Sequence, residues 1–417
     1  MTRHHPRPRT TAALLTALVP LIAGVLAAAP AQAQAAAPSA HGNTSTRSHK
    51  QTQQLWGARA AAAYAALQQN LYLGTPGHDL YLEQTPAQPG DNPYSYLWEF
   101  REATQATLDL QNIPGNTAAY SGDTAARFAA LAQYSAQAPA LPGYESYVTA
   151  PLGSGGDLYY DDNAVVGLSF ITRYRADGDQ AALQGAAAAF STDTRGWSTD
   201  AALPCAGGMN WYESSANDIR AANVTGLFAQ LSADLYQITG QSQYLTWAEQ
   251  AYQWNRSCLM QSPGLYSNDI DTSGTIDTTL WSYNSGAMIG TATELYLATG
   301  DATYLNDAVS DANGAFAYWT ADGRLYQQPA IFNSYLFQDL LLLDSVQPNA
   351  TYYTTLQTYA EQLWNDNRDT ANNLFSFQSG NGGAPDTSLP VQTLDQSAVV
   401  QLFSLLAWNP QDYDRLT

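Results

Sequence analysis

The stretches LYQITGQSQYLTWA (Leu235–Ala248) and LYLATGDATYLNDA (Leu295–Ala308) agree at seven of their fourteen positions, including a central Thr-Gly pair. A weaker copy, RYRADGDQAALQGA, begins at Arg173 and carries its glycine in the same register. Each copy fits the end of one helix, a glycine in the left-handed conformation, and the start of a second helix. We therefore predict repeated helical hairpins with turns at Gly178, Gly240 and Gly300.

The rest of the chain shares this helical periodicity. Segments such as LWGARAAAAYAALQQNLY place apolar residues at three- and four-residue steps, and no sustained period-two run appears. From Gln51 to Trp408 we count about twelve helical segments, or six hairpins. Hydrophobic helices joined by long aromatic loops favour closure into an all-α (α/α)6 barrel over an open solenoid. Because no Pro/Gly/Ser-rich linker interrupts the chain, residues 51–417 are predicted to form one domain.

The N-terminal segment has the pattern of an export signal. A basic stretch, MTRHHPRPRT, precedes a long apolar run and then AQAQA, which offers A-x-A cleavage sites. We predict a signal peptide over residues 1–35, a disordered leader over residues 36–50, and secretion of the mature protein. No later window is apolar enough to predict a membrane span.

The charge and aromatic content narrow the class of ligand. The chain has 16 basic and 36 acidic residues, for a net charge of −20, so it would repel nucleic acids and anionic membranes. It also contains 27 Tyr and 10 Trp, and its loops are rich in Tyr, Trp, Asn, Ser and Gly. Aromatic faces stack on sugar rings, while amides and hydroxyls bind sugar hydroxyls. We therefore expect a neutral, hydroxyl-rich ligand. We also expect the protein to be a monomer.

Two cysteines, Cys205 and Cys258, are present in the whole chain. In an exported protein they are predicted to form one disulfide, the alternative being two buried free thiols. A zinc site lacks partners, since four of the five histidines lie at or before His49. The remaining one, His78, is interpreted as a loop residue.

The segment YYDDNAVVGL (Tyr159–Leu168) places two acids directly before an apolar helical run. One aspartate could cap the helix, but capping needs a single side chain. The chemical interpretation is a glycosidase pair, in which one carboxyl protonates the leaving oxygen and the other attacks or assists at the anomeric carbon. In such a pair, one ionised acid raises the pKa of its neighbour and keeps a proton available. Asp161 and Asp162 are therefore candidate catalytic residues.

These motifs together resemble glycoside hydrolase family 76, the bacterial endo-α-1,6-mannanases. The resemblance covers most of Tyr94 to Phe316. It rests on YSYLW, YYDDNAVVGL, GGMNW, TGLFAQLSADLYQITGQSQYLTWA, GLYSNDID and WSYNSGAMIGTATELYLATGDATYL. It implies an (α/α)6 barrel in which Asp161 is the nucleophile and Asp162 the general acid/base. It also implies that the sugar subsites are lined by Trp98, Tyr160, Gly207, Gly208, Trp211, Asp269, Trp281 and Tyr283.

The chain departs from the family pattern at two positions. Val165 stands where many members have Trp, which could alter the packing under the catalytic helix or a subsite wall. Asn333 stands where a basic residue is expected. Both departures bear on substrate preference more than on the type of reaction.

The loop NDIDTSGTID (Asn268–Asp277) allows three interpretations. Its D-x-D-x-S-G spacing fits the opening of a calcium loop, but position twelve is Leu280 rather than a bidentate Glu. A sugar-binding loop and a plain capped turn are the alternatives. No Ser-His-Asp set, phosphate loop or H-E-x-x-H motif occurs, so we expect neither a metal nor a cofactor.

The sequence thus predicts a secreted retaining glycoside hydrolase that cleaves internal α-1,6-mannosidic linkages of mannan. Two other functions remain open at this stage. A transglycosylase of the same family would pass the glycosyl group to another sugar, and a non-catalytic barrel would only bind mannan.

Overall fold

The computed structural model describes residues 49–138, 141–378 and 383–417. The predicted signal peptide and all but the last two residues of the predicted leader lie outside these ranges. The first helix begins at His49, so residues 49 and 50 are helical and belong to the folded part. None of the helices within these ranges combines the length and apolarity needed to cross a bilayer.

Six helices form the inner wall of a closed barrel. They are α2 (Leu97–Asn112), α4 (Tyr160–Asp177), α6 (Ala222–Thr239), α8 (Ser282–Thr299), α11 (Ala330–Val346) and α13 (Thr393–Ala407). Each contacts the next in this order, and α13 contacts α2, which closes the ring. Most residues of these helices are buried, because each helix packs against several neighbours.

Six further helices form the outer layer: α1 (His49–Asn70), α3 (Thr117–Ala130), α5 (Gln180–Asp193), α7 (Ser242–Cys258), α9 (Ala302–Thr320) and α12 (Ala350–Gln362). A four-residue helix, α10 (Arg324–Gln327), lies between α9 and α11. The outer helices bury one face only. In α9, for example, the buried residues fall at three- and four-residue steps: Ala308, Asp311, Ala312, Ala315 and Trp319. The predicted all-α barrel of six hairpins is confirmed.

Glycine ends three of the inner helices as predicted. Gly178, Gly240 and Gly300 follow α4, α6 and α8 with φ of 74°, 67° and 72°, and each donates its amide to the carbonyl four residues earlier. Only glycine adopts this left-handed conformation without a steric penalty. These turns place the amino ends of the three inner helices at the same end of the barrel.

Short strands cover part of that end. Strands β1 (Gln84–Thr85) and β6 (Val391–Gln392) pair antiparallel. Strand β4 (Leu265–Asp271) pairs antiparallel with β2 (Ile219–Ala221), β3 (Met260–Ser262) and β5 (Ile276–Leu280). Because β2 leads directly into α6 and β5 nearly into α8, this sheet lies beside the amino ends of the inner helices.

The two cysteines form the predicted disulfide. Cys205 lies in the loop after α5, and Cys258 is the last residue of α7. Their Cα atoms are 6.1 Å apart. The bond ties the loop that carries the GGMNW motif to the outer layer.

Candidate active site

The two adjacent aspartates are the second and third residues of α4. The N-cap residue is Tyr159, and its side chain makes no capping hydrogen bond. The Oδ1 atom of Asp161 accepts the amide of Asp162 over 3.1 Å, whereas its Oδ2 atom points to side chains of other elements. Both aspartates remain partly exposed at the open end of the barrel. A capping role therefore accounts for one oxygen of the pair at most.

Asp161 is held by two side-chain donors. Trp211 donates from Nε1 to Oδ2 of Asp161 over 3.0 Å, and Asn223 donates from Nδ2 to the same oxygen over 2.8 Å. Burial raises the pKa of Asp161, and these two hydrogen bonds oppose that rise. Donors that bind a carboxylate favour its charged form. The two donors therefore favour the ionised form of Asp161 against the effect of burial.

Asp162 is in a different electrostatic environment. Its carboxyl accepts no hydrogen bond from the residues that the structure describes. Burial raises the pKa of Asp162 well above its usual value, and the charge of Asp161 raises it further, followed by those of Glu99 and Glu102. Asp162 therefore holds its proton while Asp161 is charged. Two neighbouring carboxyls with opposite protonation states are what acid-assisted nucleophilic attack requires.

The loop carrying Trp211 is fixed to the start of α4 by its backbone. Tyr159 and Tyr212 form an antiparallel bridge, and the Tyr160 amide donates to the Trp211 carbonyl over 3.0 Å. The buried guanidinium of Arg220 donates to the carbonyls of Pro204, Cys205 and Gly207. These contacts keep the Trp211 indole beside Asp161.

Three residues predicted to line the sugar site lie within the packed interior. Tyr160 is 2% exposed, and its hydroxyl donates to Glu213. Gly207 and Gly208 are buried against Trp197 and Trp254, and a Cβ on Gly208 would come within 2.3 Å of the Trp254 ring. In this structure these residues support the loop, and it is Tyr159 that stays partly exposed, with its ring 4.9 Å from that of Trp211.

A second group of aromatic residues surrounds Phe332, which the sequence analysis missed. Tyr283 stacks on Phe332 with ring centroids 4.0 Å apart and planes within 3°. Trp98 lies 6.2 Å from the same ring and Trp281 lies 5.5 Å from it. All four remain partly exposed. The structure thus brings the predicted Trp98, Trp281 and Tyr283 together around one unpredicted residue.

Trp98 is oriented by a buried polar network. Its Nε1 donates to Oε1 of Glu102 over 3.1 Å, and the Tyr335 hydroxyl donates to the same oxygen over 2.6 Å. Arg101 forms an ion pair with that oxygen over 2.8 Å, and Gln401 donates to Oε2 over 2.8 Å. Glu102 is therefore a fixed, paired charge that holds an aromatic residue of the site.

The NDIDTSGTID segment forms the ends of β4 and β5 and the turn between them. Oδ1 of Asp271 accepts the amides of Ser273 and Thr275 and the Ser273 hydroxyl, which is the capped turn among the three interpretations. Asp269 is buried in β4 and accepts Nδ2 of Asn268 over 2.7 Å. Across residues 49–138, 141–378 and 383–417, no group of three or more His, Cys, Asp or Glu side chains is arranged to hold a metal.

The two departures from the family pattern are both buried. Val165 is 3% exposed and its carbonyl accepts Nε of Arg101, so it belongs to the packing between α4 and α2. Asn333 is fully buried, accepts the Ser282 hydroxyl over 2.9 Å and donates to the Leu325 carbonyl over 2.7 Å. Asn333 therefore joins the starts of α8 and α11.

Asn223 was missed by the sequence analysis, although the repeat register contained the signal. Asp161, Asn223 and Tyr283 each lie 17 residues before the glycine that ends their helix. All three are therefore the second residue of an inner helix, at the same height in the barrel. In these three helices the second position therefore places a side chain at the site.

The family model described as glycosyl hydrolase family 76 matches residues 29–408 of this chain. Among curated proteins, a putative mannan endo-1,6-alpha-mannosidase of Schizosaccharomyces pombe is 26% identical over 234 residues, which are 53% of this chain and 50% of that protein. A mannan endo-1,6-alpha-mannosidase of Saccharomyces cerevisiae is 28% identical over 165 residues, 36% of each chain. The chain thus spans half or less of the length of these curated relatives.

Two solved structures have the same fold as this chain. A family 76 mannosidase of Bacteroides thetaiotaomicron superposes with a TM-score of 0.74 at 20% identity, covering 85% of this chain and 98% of that one. An inactive variant of an α-1,6-mannanase of Salegentibacter, with two adjacent aspartates replaced by asparagine and α-1,6-mannotriose bound, superposes with a TM-score of 0.68 at 20% identity. It covers 84% of this chain and 99% of that one. These likenesses establish the barrel fold.

Proposed function

The chain belongs to glycosyl hydrolase family 76, and on that premise we propose that it is a secreted, endo-acting, retaining glycoside hydrolase that cleaves α-1,6-mannosidic linkages in mannan. One observation carries the proposal: Asp161 accepts two side-chain hydrogen bonds, whereas the adjacent Asp162 has none within the described part of the chain. The α-1,6-mannan activity named for the relatives, and the loss of both aspartates in an inactive one, support the same assignment.

The proposed reaction has two steps. The Asp161 carboxylate attacks the anomeric carbon, the bond to the leaving oxygen breaks, and Asp162 transfers its proton to that oxygen. A glycosyl ester on Asp161 results. Asp162, now ionised, takes a proton from water as the water oxygen attacks the anomeric carbon and releases Asp161. Two inversions at one carbon retain its configuration.

The neutral substrate is held by stacking and hydrogen bonding in this proposal. The partly exposed rings around Phe332 form one aromatic surface, and Tyr159 and Trp211 form another beside the acids. Sugar rings present apolar C–H faces that pack on such rings. The acidic surroundings favour an uncharged glycan over a phosphorylated one.

The test is hydrolysis of unbranched α-1,6-mannan by the purified protein, followed by release of reducing ends and the initial anomer by NMR. Asp161→Asn and Asp162→Asn are each expected to lower kcat by at least about 10³-fold without lowering Tm. Asp177→Asn, an exposed change on the same helix, is the control. Normal cleavage by the Asp161→Asn protein would exclude the mechanism, and lengthened products would indicate transfer instead of hydrolysis.

A further inference from the structure

Three neighbouring inner helices each have a carboxyl as third residue. They are Asp395 in α13, Glu99 in α2 and Asp162 in α4. Helix α2 contacts both of the others. The candidate acid/base residue therefore has a line of carboxyls beside it, on the side that faces away from Trp211 and Asn223.

A fourth carboxyl joins this line from the segment before β1. The Tyr96 amide donates to Oε2 of Glu83 over 3.1 Å, and the Thr393 amide donates to the Glu83 carbonyl over 2.9 Å. These contacts fix Glu83 between the starts of α2 and α13. The Glu83 and Glu99 carboxyls lie within hydrogen-bonding reach of each other, and a bond between two carboxyls requires a proton on one of them.

Glu99 is the buried member of this cluster. It is 3% exposed, and its Oε2 atom has no hydrogen-bond partner in the described part of the chain. Burial raises the pKa of Glu99 to about 7, and the charges of Glu102 and Asp395 add to the rise while the bond to Glu83 opposes it. Glu99 therefore changes its charge near neutral pH, where Asp162 must still hold its proton.

The groups that face Glu99 come from every neighbouring element. They are Glu83, Glu102, Tyr134, Asp162 and Asp395. Arg101, a neighbouring cation on α2, is paired with Glu102 over 2.8 Å. The charge that appears on Glu99 is thus not neutralised locally, and it acts on Asp162, whose pKa it raises.

We propose that Glu99 is a positioning residue that keeps the proton on Asp162 at alkaline pH, because its own ionisation opposes that of Asp162. This inference rests on the proposed function, in which Asp162 is the general acid. Below neutral pH Glu99 is uncharged and has no such effect. As the pH rises, the new charge on Glu99 delays the loss of the Asp162 proton and extends activity on the alkaline side.

The test is the pH dependence of kcat/KM for a defined α-1,6-mannan oligosaccharide between pH 4 and 9. In Glu99→Gln the alkaline limb is expected to move down by about half to one pH unit, which lowers kcat/KM at pH 8 by about 3- to 10-fold. The acid limb and the value at pH 5 should stay the same. The control is Asp109→Asn, another buried carboxyl of α2, which does not act on Asp162.

A second variant gives a shift of opposite sign. In Glu83→Gln the amide can donate to Glu99, which favours the charged form of Glu99 and should move the alkaline limb to higher pH. Selective ¹³C labelling of aspartate carboxyls, with Asp162→Asn for assignment, follows the same shifts in the Asp162 titration without any substrate. Absence of mannan cleavage by the wild type would count against the proposed function alone, whereas an unmoved Asp162 titration in folded Glu99→Gln would overturn the role of Glu99.

Discussion

Asn223, the second residue of α6, donates from Nδ2 to Oδ2 of Asp161, the second residue of α4, over 2.8 Å. The two side chains occupy the same register position in successive hairpins. A repeat position that supplies the proposed nucleophile in one hairpin therefore supplies a hydrogen-bond donor to it from the next. The hydrogen bond orients the Asp161 carboxylate and opposes the effect of burial on its pKa.

Replacement of Asn223 by Ala is expected to raise the pKa of Asp161, because the hydrogen bond from Asn223 opposes the effect of burial. In the proposed mechanism Asp161 attacks as a carboxylate, so the acid limb of the pH profile should move to higher pH. We expect kcat to fall by about 10- to 100-fold. Steady-state kinetics between pH 4 and 8 measure both effects, with the exposed Asn306→Ala as control. An unmoved acid limb in folded Asn223→Ala would show that this bond does not tune Asp161.

Asp109 should make the stability of the protein fall as the pH rises. Burial raises the pKa of this carboxyl from 3.8 to about 7, with a hydrogen bond from Gln105 opposing the rise. The unfolded chain releases the proton first, so stability is lost between about pH 4 and pH 7. Asp109→Asn removes this loss, and its stability relative to wild type should rise between pH 5 and 8 by on the order of 2 kcal/mol.

Chemical unfolding of both proteins at pH 5, 6, 7 and 8 measures that difference. The control is Asp179→Asn, because Asp179 is a partly exposed N-cap that accepts the Ala181 amide and the change removes no buried charge. A constant offset between Asp109→Asn and wild type across the pH range would contradict the assignment of the proton to Asp109.

Removal of the disulfide is expected to weaken the fold more than the site. Cys205 and Cys258 close a loop of 53 residues, and their joint replacement by Ser should lower the free energy of unfolding by about 2–4 kcal/mol. Arg220 still binds three carbonyls of the same loop, so kcat/KM at 25 °C should change by less than about threefold. Urea unfolding with and without a reducing agent tests this, since only the wild type should respond to reduction.

Gly208 is expected to be intolerant of any side chain. Its φ is 81°, and a Cβ would lie 2.3 Å from the Trp254 ring. Gly240 has a similar φ of 67° but open space around it, so Gly240→Ala measures the cost of the left-handed backbone alone, about 1 kcal/mol. Gly208→Ala should cost at least about 2 kcal/mol more than that. Equal Tm values for the two variants would show that the loop can move away from Trp254.

The repeat predicted the helical hairpins because a turn after a helix depends on the residues at the turn itself. A glycine after an apolar helix is a strong turn signal, and Gly178, Gly240 and Gly300 all take the left-handed conformation that the pattern requires. Strand β4 could not be recognised, because Tyr266 to Ile270 are all buried and leave no alternation of apolar and polar residues. Strand β5 shows none either, since its residues are exposed from Ile276 to Thr279.

The composition around the acids did not predict the orientation of the individual side chains. The pattern YYDD offers two tyrosines, and only the helix boundary decides between them. Tyr160 is the first helical residue and turns into the packed interior, whereas Tyr159 precedes the helix in an extended conformation and stays partly exposed. The sequence did not predict Phe332 as a site residue, because an aromatic residue in a hydrophobic helix is typical of the core.

In this barrel, the position of a residue in the first turn of an inner helix determines its place relative to the site. The second residue of an inner helix is Trp98, Asp161, Asn223 or Tyr283 in four of the hairpins. The third residue is Glu99, Asp162, Phe332 or Asp395 in four inner helices. Further along the inner helices, most side chains are packed in the interior. A new substrate specificity could thus arise from single substitutions at these positions, one hairpin at a time, without any change to the packed core of the barrel.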